Sequence, residues 1–150
     1  MSHDIFDVEL VLQEDYRFGV DFRLPGVVPI SADLPPPLGK SAGPDPEKLL
    51  AAAVGNCLSA SLQFALRKLK NDQIPMRTVA EVKLARNEQN RQRVGSIEVE
   101  IRLGVAAAEI KLLDRALAQF EEFCVVTQSV RAAIPVSVKI LDAEGAVLAG

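Results

Sequence analysis

The stretch from Asp45 to Leu66 constrains the fold more than any other part of the chain. Asp45 can cap a helix, Pro46 suits its first position, and Glu47 puts a negative charge in its first turn. Leu49 to Ala60 is then apolar at almost every position. Such a helix is expected to be buried on all sides. The pattern predicts a helix from Pro46 to Lys70, with Arg67, Lys68 and Lys70 in its last turns and Pro75 beyond its end. Leu49 to Leu66 is also the nearest approach to a membrane span. Asn56, Ser59, Ser61 and Gln63 interrupt it and favour a buried helix over insertion in a membrane.

The flanking segments alternate as strands do. Residues 5–13 and 16–24 predict two strands joined at Glu14-Asp15, with Phe18, Val20 and Phe22 on one face. Val27 to Ile30 suggests a short third strand. Pro35-Pro36-Pro37 forbids regular structure, and Gly39 to Gly43 reads as a mobile loop. After the long helix, residues 77–86 and 93–104 predict a hairpin turning at Asn87 to Gln92. Val79, Val82 and Leu84 are the apolar positions of its first strand. A second helix is expected from Ala106 to Phe123, with Ile110, Leu113, Leu117 and Phe120 on one face. A short helix over Val126 to Ala133, a strand over 135–141 and a last short strand complete the chain. The order predicts an α+β fold, and 150 residues fit a single domain spanning 1–150.

Composition removes several functions. Seventeen basic against twenty acidic residues give a net charge of −3, which disfavours nucleic-acid binding through a basic surface. Trp is absent and aromatics are 5%, too few for a base-stacking platform. The single His, His3, excludes His-rich metal sites and a His-based catalytic triad in the body of the fold. The polar start Met1-Ser2-His3-Asp4 lacks a secretory pattern, so a cytoplasmic location is the expectation. Thiols there are normally reduced.

Two cysteines remain as chemistry-bearing residues. Cys57 lies inside the apolar helix and Cys124 follows the second helix. Each read alone is compatible with an inert core thiol. Cys57 lies too far along its helix for the dipole to activate it, so a working thiolate there needs a cation from elsewhere. As a pair they can be an attacking and a resolving thiol, if the fold brings them together. A two-Cys metal site would need further ligands, and no nearby His or CxxC supplies them.

The run Gly43-Pro44-Asp45-Pro46-Glu47-Lys48-Leu49-Leu50-Ala51-Ala52-Ala53-Val54-Gly55-Asn56-Cys57 resembles the signature of the OsmC/Ohr family, the osmotically inducible and organic-hydroperoxide-resistance proteins. Cys124-Val125-Val126-Thr127-Gln128-Ser129-Val130, followed by Ile134-Pro135-Val136, is similar to that family's second cysteine region. Val125 stands where many members carry Pro. The resemblance implies an intertwined homodimer with sites at the subunit interface. It also implies a thiol-dependent peroxidase acting on organic hydroperoxides, with no cofactor. Cys57 matches the attacking cysteine, Cys124 the resolving one, and Glu47 the acidic residue at the start of the central helix. Arg17 is the first candidate for the family's arginine, and Arg23 the second. An external dithiol, of lipoyl type by resemblance, would reduce the disulfide. A protein of this fold that binds a small apolar ligand, and a purely structural one, are the competing readings.

The chemistry explains the residue types. A guanidinium near both peroxide oxygens holds the thiol as thiolate and stabilises the departing alkoxide. A carboxylate would repel the thiolate, so its sensible role is to orient the arginine. Phe18, Phe22 and Phe123 are candidates for an apolar wall favouring alkyl hydroperoxides. Along one helix, Glu47 and Cys57 are separated by about 15 Å at a rise of roughly 1.5 Å per residue. One arginine meeting both therefore implies either two subunits at the site or a helix interrupted before Cys57.

Overall fold

The computed structural model describes residues 5–150. The chain forms two compact units, Met1–Leu49 and Leu50–Gly150. His3 lies outside the described residues.

The first unit is a three-stranded antiparallel meander of β1 (Glu9–Glu14), β2 (Arg17–Asp21) and β3 (Ile30–Ala32). The strands are shorter than the alternation predicts. β2 stops at Asp21 because that side chain accepts the Arg23 N–H at 2.7 Å and Arg23 turns to φ 55°. An Asx turn of this kind competes with continued pairing. The third strand begins only at Ile30, since Leu24 to Val27 close a turn with Gly26 at φ 77°. Val20 is buried, but Phe18 and Phe22 remain partly exposed, as do Leu10, Val11 and Leu12 on β1.

The glycine-rich loop is pinned by backbone hydrogen bonds. The buried Asp33 carboxylate accepts the Lys40 and Ala42 N–H groups at 2.9 and 3.0 Å. The Ser41 N–H donates to Leu34, and the Asp33 N–H to Pro44. A Cβ at Gly39 would collide with the Leu34 carbonyl, and one at Gly43 with that of Ser31. The glycines thus serve close backbone approach. The two donated N–H groups hold the Asp33 carboxyl below its ordinary range.

The helix α1 (Pro46–Lys68) starts as expected: Asp45 accepts the Lys48 N–H at 2.9 Å. It runs unbroken past Cys57. It ends before Lys70 because Lys70 adopts φ 64° and the Asn71 N–H reaches back to the Leu66 carbonyl, a Schellman-type closure. By length and composition α1 could cross a membrane. Here its stripe Val54, Leu58, Leu62 and Leu66 is fully buried in the core.

The second unit is built on the sheet β4 (Met76–Arg86), β5 (Gln92–Leu103), β6 (Val136–Leu141) and β7 (Val147–Ala149), in that order. β4 and β5 form the antiparallel hairpin, β6 adds parallel to β5, and β7 closes antiparallel. Ile97, Val99, Ile101 and Leu103 of β5 and Ile140 of β6 join the helix stripe in one core. Gly55 and Ser59 lie over β4: a Cβ at Gly55 would touch Ala80 and Thr78, and the Ser59 and Thr78 hydroxyls are 2.5 Å apart. Val79 and Leu84 are exposed, so only Val82 of the three expected β4 positions packs against the core.

Burial of α1 departs from the expectation of an all-round buried helix. Ala52, Ala53, Asn56, Ala60 and Phe64 are exposed. Ala51 and Gly55 are buried within the chain.

The second helix is also broken. A 3-10 turn (Ala107–Glu109), α2 (Leu113–Gln119) and a second 3-10 turn (Phe120–Phe123) replace it. The Asn71 side chain accepts the Lys111 N–H at 2.8 Å and donates to the Lys111 carbonyl at 3.0 Å. Those backbone groups are withdrawn from a helix, and Leu112 turns to φ 53°. The last helix, α3 (Val125–Val130), is shorter than expected.

Two outcomes follow. Leu62→Ala removes a fully buried side chain from the centre of the stripe and should cost about 2–5 kcal/mol in denaturant unfolding. Asp33 contributes stability above its unfolded value of 3.8 that is lost as pH falls through its lower folded value. The melting-temperature gap between wild type and Asp33→Asn should therefore narrow on acidification below that range. A gap constant with pH would contradict this assignment.

Candidate functional site

The unbroken α1 and the broken second helix converge on one pair of sulfurs. Cys57 stands on α1 beside the buried Leu58 and is partly exposed. Cys124 is placed by the second 3-10 turn, which ends at Phe123, and is fully buried. Both are free thiols, and their Sγ atoms are 2.6 Å apart.

The segment bearing Cys124 is tied on both sides. The Arg131 guanidinium pairs with Glu121 at 2.5 Å and donates from Nε to the Val136 carbonyl at 3.0 Å. The Gln128 amide donates to the Glu121 carbonyl at 2.9 Å. These bonds tie the 3-10 turn before Cys124 to α3 and, through Arg131 at the end of α3, to the start of β6.

The two thiols differ in environment. Burial pushes the Cys124 thiol up from its ordinary value, and the neighbouring Cys57 adds to the rise. The hydroxyl and N–H of Thr127 act in the opposite sense and offset part of it. Cys124 is therefore a neutral thiol near pH 7. Cys57 instead opens on a cleft of about 680 Å³. Phe64, Phe123, Val125 and Val126 supply its apolar walls, and Asn56 and Ser61 its polar groups. A small reagent entering the cleft meets Cys57 first. Oxidation of Cys57 then leaves its sulfur in contact with a second thiol, the arrangement that intramolecular disulfide formation requires.

The charged candidates belong to the first unit. Arg17 opens β2 and pairs with Glu14 at 3.4 Å, while its Nε is buried without a hydrogen-bond partner among the described residues. Lys40 also reaches Glu14, at 3.1 Å. Arg23 is held by Asp7 at 3.2 Å and Glu9 at 3.1 Å. Glu47 is exposed in the first turn of α1 and forms no ion pair among the described residues. Within one chain, then, the arginine candidates pair with carboxylates other than Glu47. Phe123 lines the cleft as expected of an apolar wall. Phe64, Asn56 and Thr127 escaped the sequence reading. Phe64 follows Cys57 by two helical turns and so shares its face, a signal hidden among so many apolar positions.

Comparison with known proteins agrees with this architecture. Residues 39–139 match the family model for OsmC-like protein. No curated protein matches the sequence. An OsmC-like protein of unknown function from Vibrio cholerae superposes with a TM-score of 0.75 at 16% identity, over 93% of this chain and 100% of its own. The organic hydroperoxide resistance protein OhrB of Bacillus subtilis gives 0.64 at 18% identity, over 90% and 98%. An organic hydroperoxide resistance protein OsmC from Legionella pneumophila gives 0.69 at 16%, over 92% and 98%. The likenesses establish a shared α+β fold, and the family match spans both cysteines: the chain belongs to the OsmC-like family.

Proposed function

We propose that this protein is a thiol-dependent peroxidase that reduces organic hydroperoxides. The observation that carries the reading is the contact between a cleft-facing Cys57 and a buried Cys124. Family membership, and the resistance to organic hydroperoxides named for two structural relatives, support it.

In the proposed cycle the Cys57 thiolate attacks the terminal peroxide oxygen. The O–O bond breaks, the alkoxide leaves and takes up a proton, and Cys57 becomes a sulfenic acid. Cys124 gives up its proton and attacks the Cys57 sulfur. An S–S bond forms, and hydroxide leaves to become water. An external dithiol, lipoyl-type in this proposal, then reduces the disulfide in the cytoplasm. Phe64, Phe123 and Val125 favour an alkyl group over water in the cleft, and hence organic over hydrogen peroxide.

Arg17 carries the activating guanidinium in this reading, and Glu47 orients it. Arg23 is the weaker choice because two carboxylates already hold it. Assembly of two copies brings these charges to the thiols in this reading, and the continuity of α1 through Cys57 supports that route over an interrupted helix. The exposed face of α1, with Phe64, and the exposed apolar positions of β1 are surface such a homodimer would cover.

One equivalent of an organic hydroperoxide should consume two thiols in wild type and leave a trappable sulfenic acid in Cys124→Ser. Cys57→Ser should lose turnover altogether. Arg17→Ala should lower the rate of Cys57 oxidation by about 10²–10³, the loss typical of one preorganised charge donor. Sedimentation should give a dimer, and a fully active monomer would refute the two-subunit site. Two thiols surviving the peroxide would refute the peroxidase reading and favour ligand binding in the cleft.

A further inference from the structure

Thr127 is fully buried, and its hydroxyl oxygen has no hydrogen-bond partner among the described residues. An unpaired buried hydroxyl is costly, and Val would fill the same volume without that cost. Hydroxyls on helices commonly satisfy themselves by bonding the carbonyl one turn back. Ser129 on the same helix does so, donating to the Val125 carbonyl at 2.8 Å. Thr127 does not. The unsatisfied group is instead one helical turn from Cys124, on the same buried side. The Cys124 sulfur in turn touches Cys57. The Thr127 hydroxyl and N–H both bear on the Cys124 sulfur and favour its charged form.

We propose that Thr127 is a positioning residue for disulfide closure: its hydroxyl donates a hydrogen bond to the Cys124 sulfur when that sulfur becomes a thiolate and attacks Cys57. The proposal rests on the thiol cycle above and identifies what supports its second step. In the resting dithiol the Cys124 sulfur is neutral and accepts hydrogen bonds weakly, so the hydroxyl is left unpaired. Loss of the proton makes the sulfur a strong acceptor in a site sealed from water. The hydroxyl then stabilises charge that exists only during resolution. It also aims the sulfur along the line to Cys57. Arg131 and Glu121 keep the segment from swinging away meanwhile.

The test separates resolution from peroxide chemistry. An aromatic disulfide reagent first couples to the accessible Cys57 and releases one nitrothiobenzoate. Cys124 then attacks the Cys57 sulfur of the mixed disulfide. The protein S–S bond forms, and the second nitrothiobenzoate leaves with the electron pair. The rate of this second release reports Cys124 alone, and the first release is an internal reference. Thr127→Val should slow the second release about tenfold, the order of one hydrogen bond to a charged group. Its melting temperature should be equal to or above wild type. Thr127→Ser, which keeps the hydroxyl, should stay close to the wild-type rate.

A Thr127→Val protein that closes as fast as wild type would overturn the proposal. So would a Thr127→Ser protein as slow as Thr127→Val, because the methyl group and its packing would then be what matters. The same variants treated with an organic hydroperoxide should accumulate sulfenic acid in Thr127→Val only. If wild-type thiols ignore the hydroperoxide while the second release still depends on the hydroxyl, the peroxidase reading fails and the role of Thr127 stands.

Discussion

Packing of one helical stripe against one sheet governs everything else in the second unit. Val54, Leu58, Leu62 and Leu66 repeat at the spacing that places them on one face of α1, and all four are fully buried. Their partners are the inward residues of β5 and Ile140 of β6. Close packing makes the rotation of α1 about its axis a quantity without slack. Cys57 precedes Leu58, so its position at the edge of the stripe follows from that rotation. Gly55 and Ser59, fitted over Thr78 and Ala80 of β4, set the same angle from the other side. The cysteine is therefore held half in the core and half in a cleft by contacts that are not themselves reactive.

The second sulfur arrives by a different device. A continuous helix over Ala106 to Phe123 would send Cys124 in another direction. The Asn71 side chain takes both backbone groups of Lys111, and the chain breaks there. Asn71 also ends α1, through its N–H to Leu66. One polar residue thus terminates the helix that carries Cys57 and interrupts the segment that leads to Cys124. The thiols then meet in unequal surroundings. Burial keeps Cys124 neutral while Cys57 faces the cleft, so the two thiols differ in access and environment without any difference in residue type.

Much of the fold was legible. The capped start of α1, the β4–β5 hairpin and the β6 strand follow from local rules of capping and alternation, which hold wherever a segment's own pattern is strong. The failures also have causes. β2 ended early through Asp21 and Arg23, and the second helix broke through an asparagine far away in the chain. The hydrogen bonds that organise the glycine loop were also not legible: the Asp33 carboxylate gathers N–H groups across a proline-rich stretch. Composition alone could not distinguish an all-round buried helix from one with a face left open, since alanines occupy both sides of α1 and an apolar residue, Phe64, stands on the open one. At the site, the two cysteines and their signatures could be read directly, whereas Phe64 and Thr127 could not. Their roles depend on what lies beside them rather than on residue type.

The sequence by itself determined the α+β order of elements, the central helix and the two cysteines as the only thiols to consider, because capping, periodicity and residue chemistry are local properties. Only the tertiary structure decided that the thiols touch, that one is sealed and the other open, and that Arg17 answers to Glu14 within its own chain. Those outcomes depend on long-range packing and on competition among many partners for the same backbone groups and charges. No single segment carries that information.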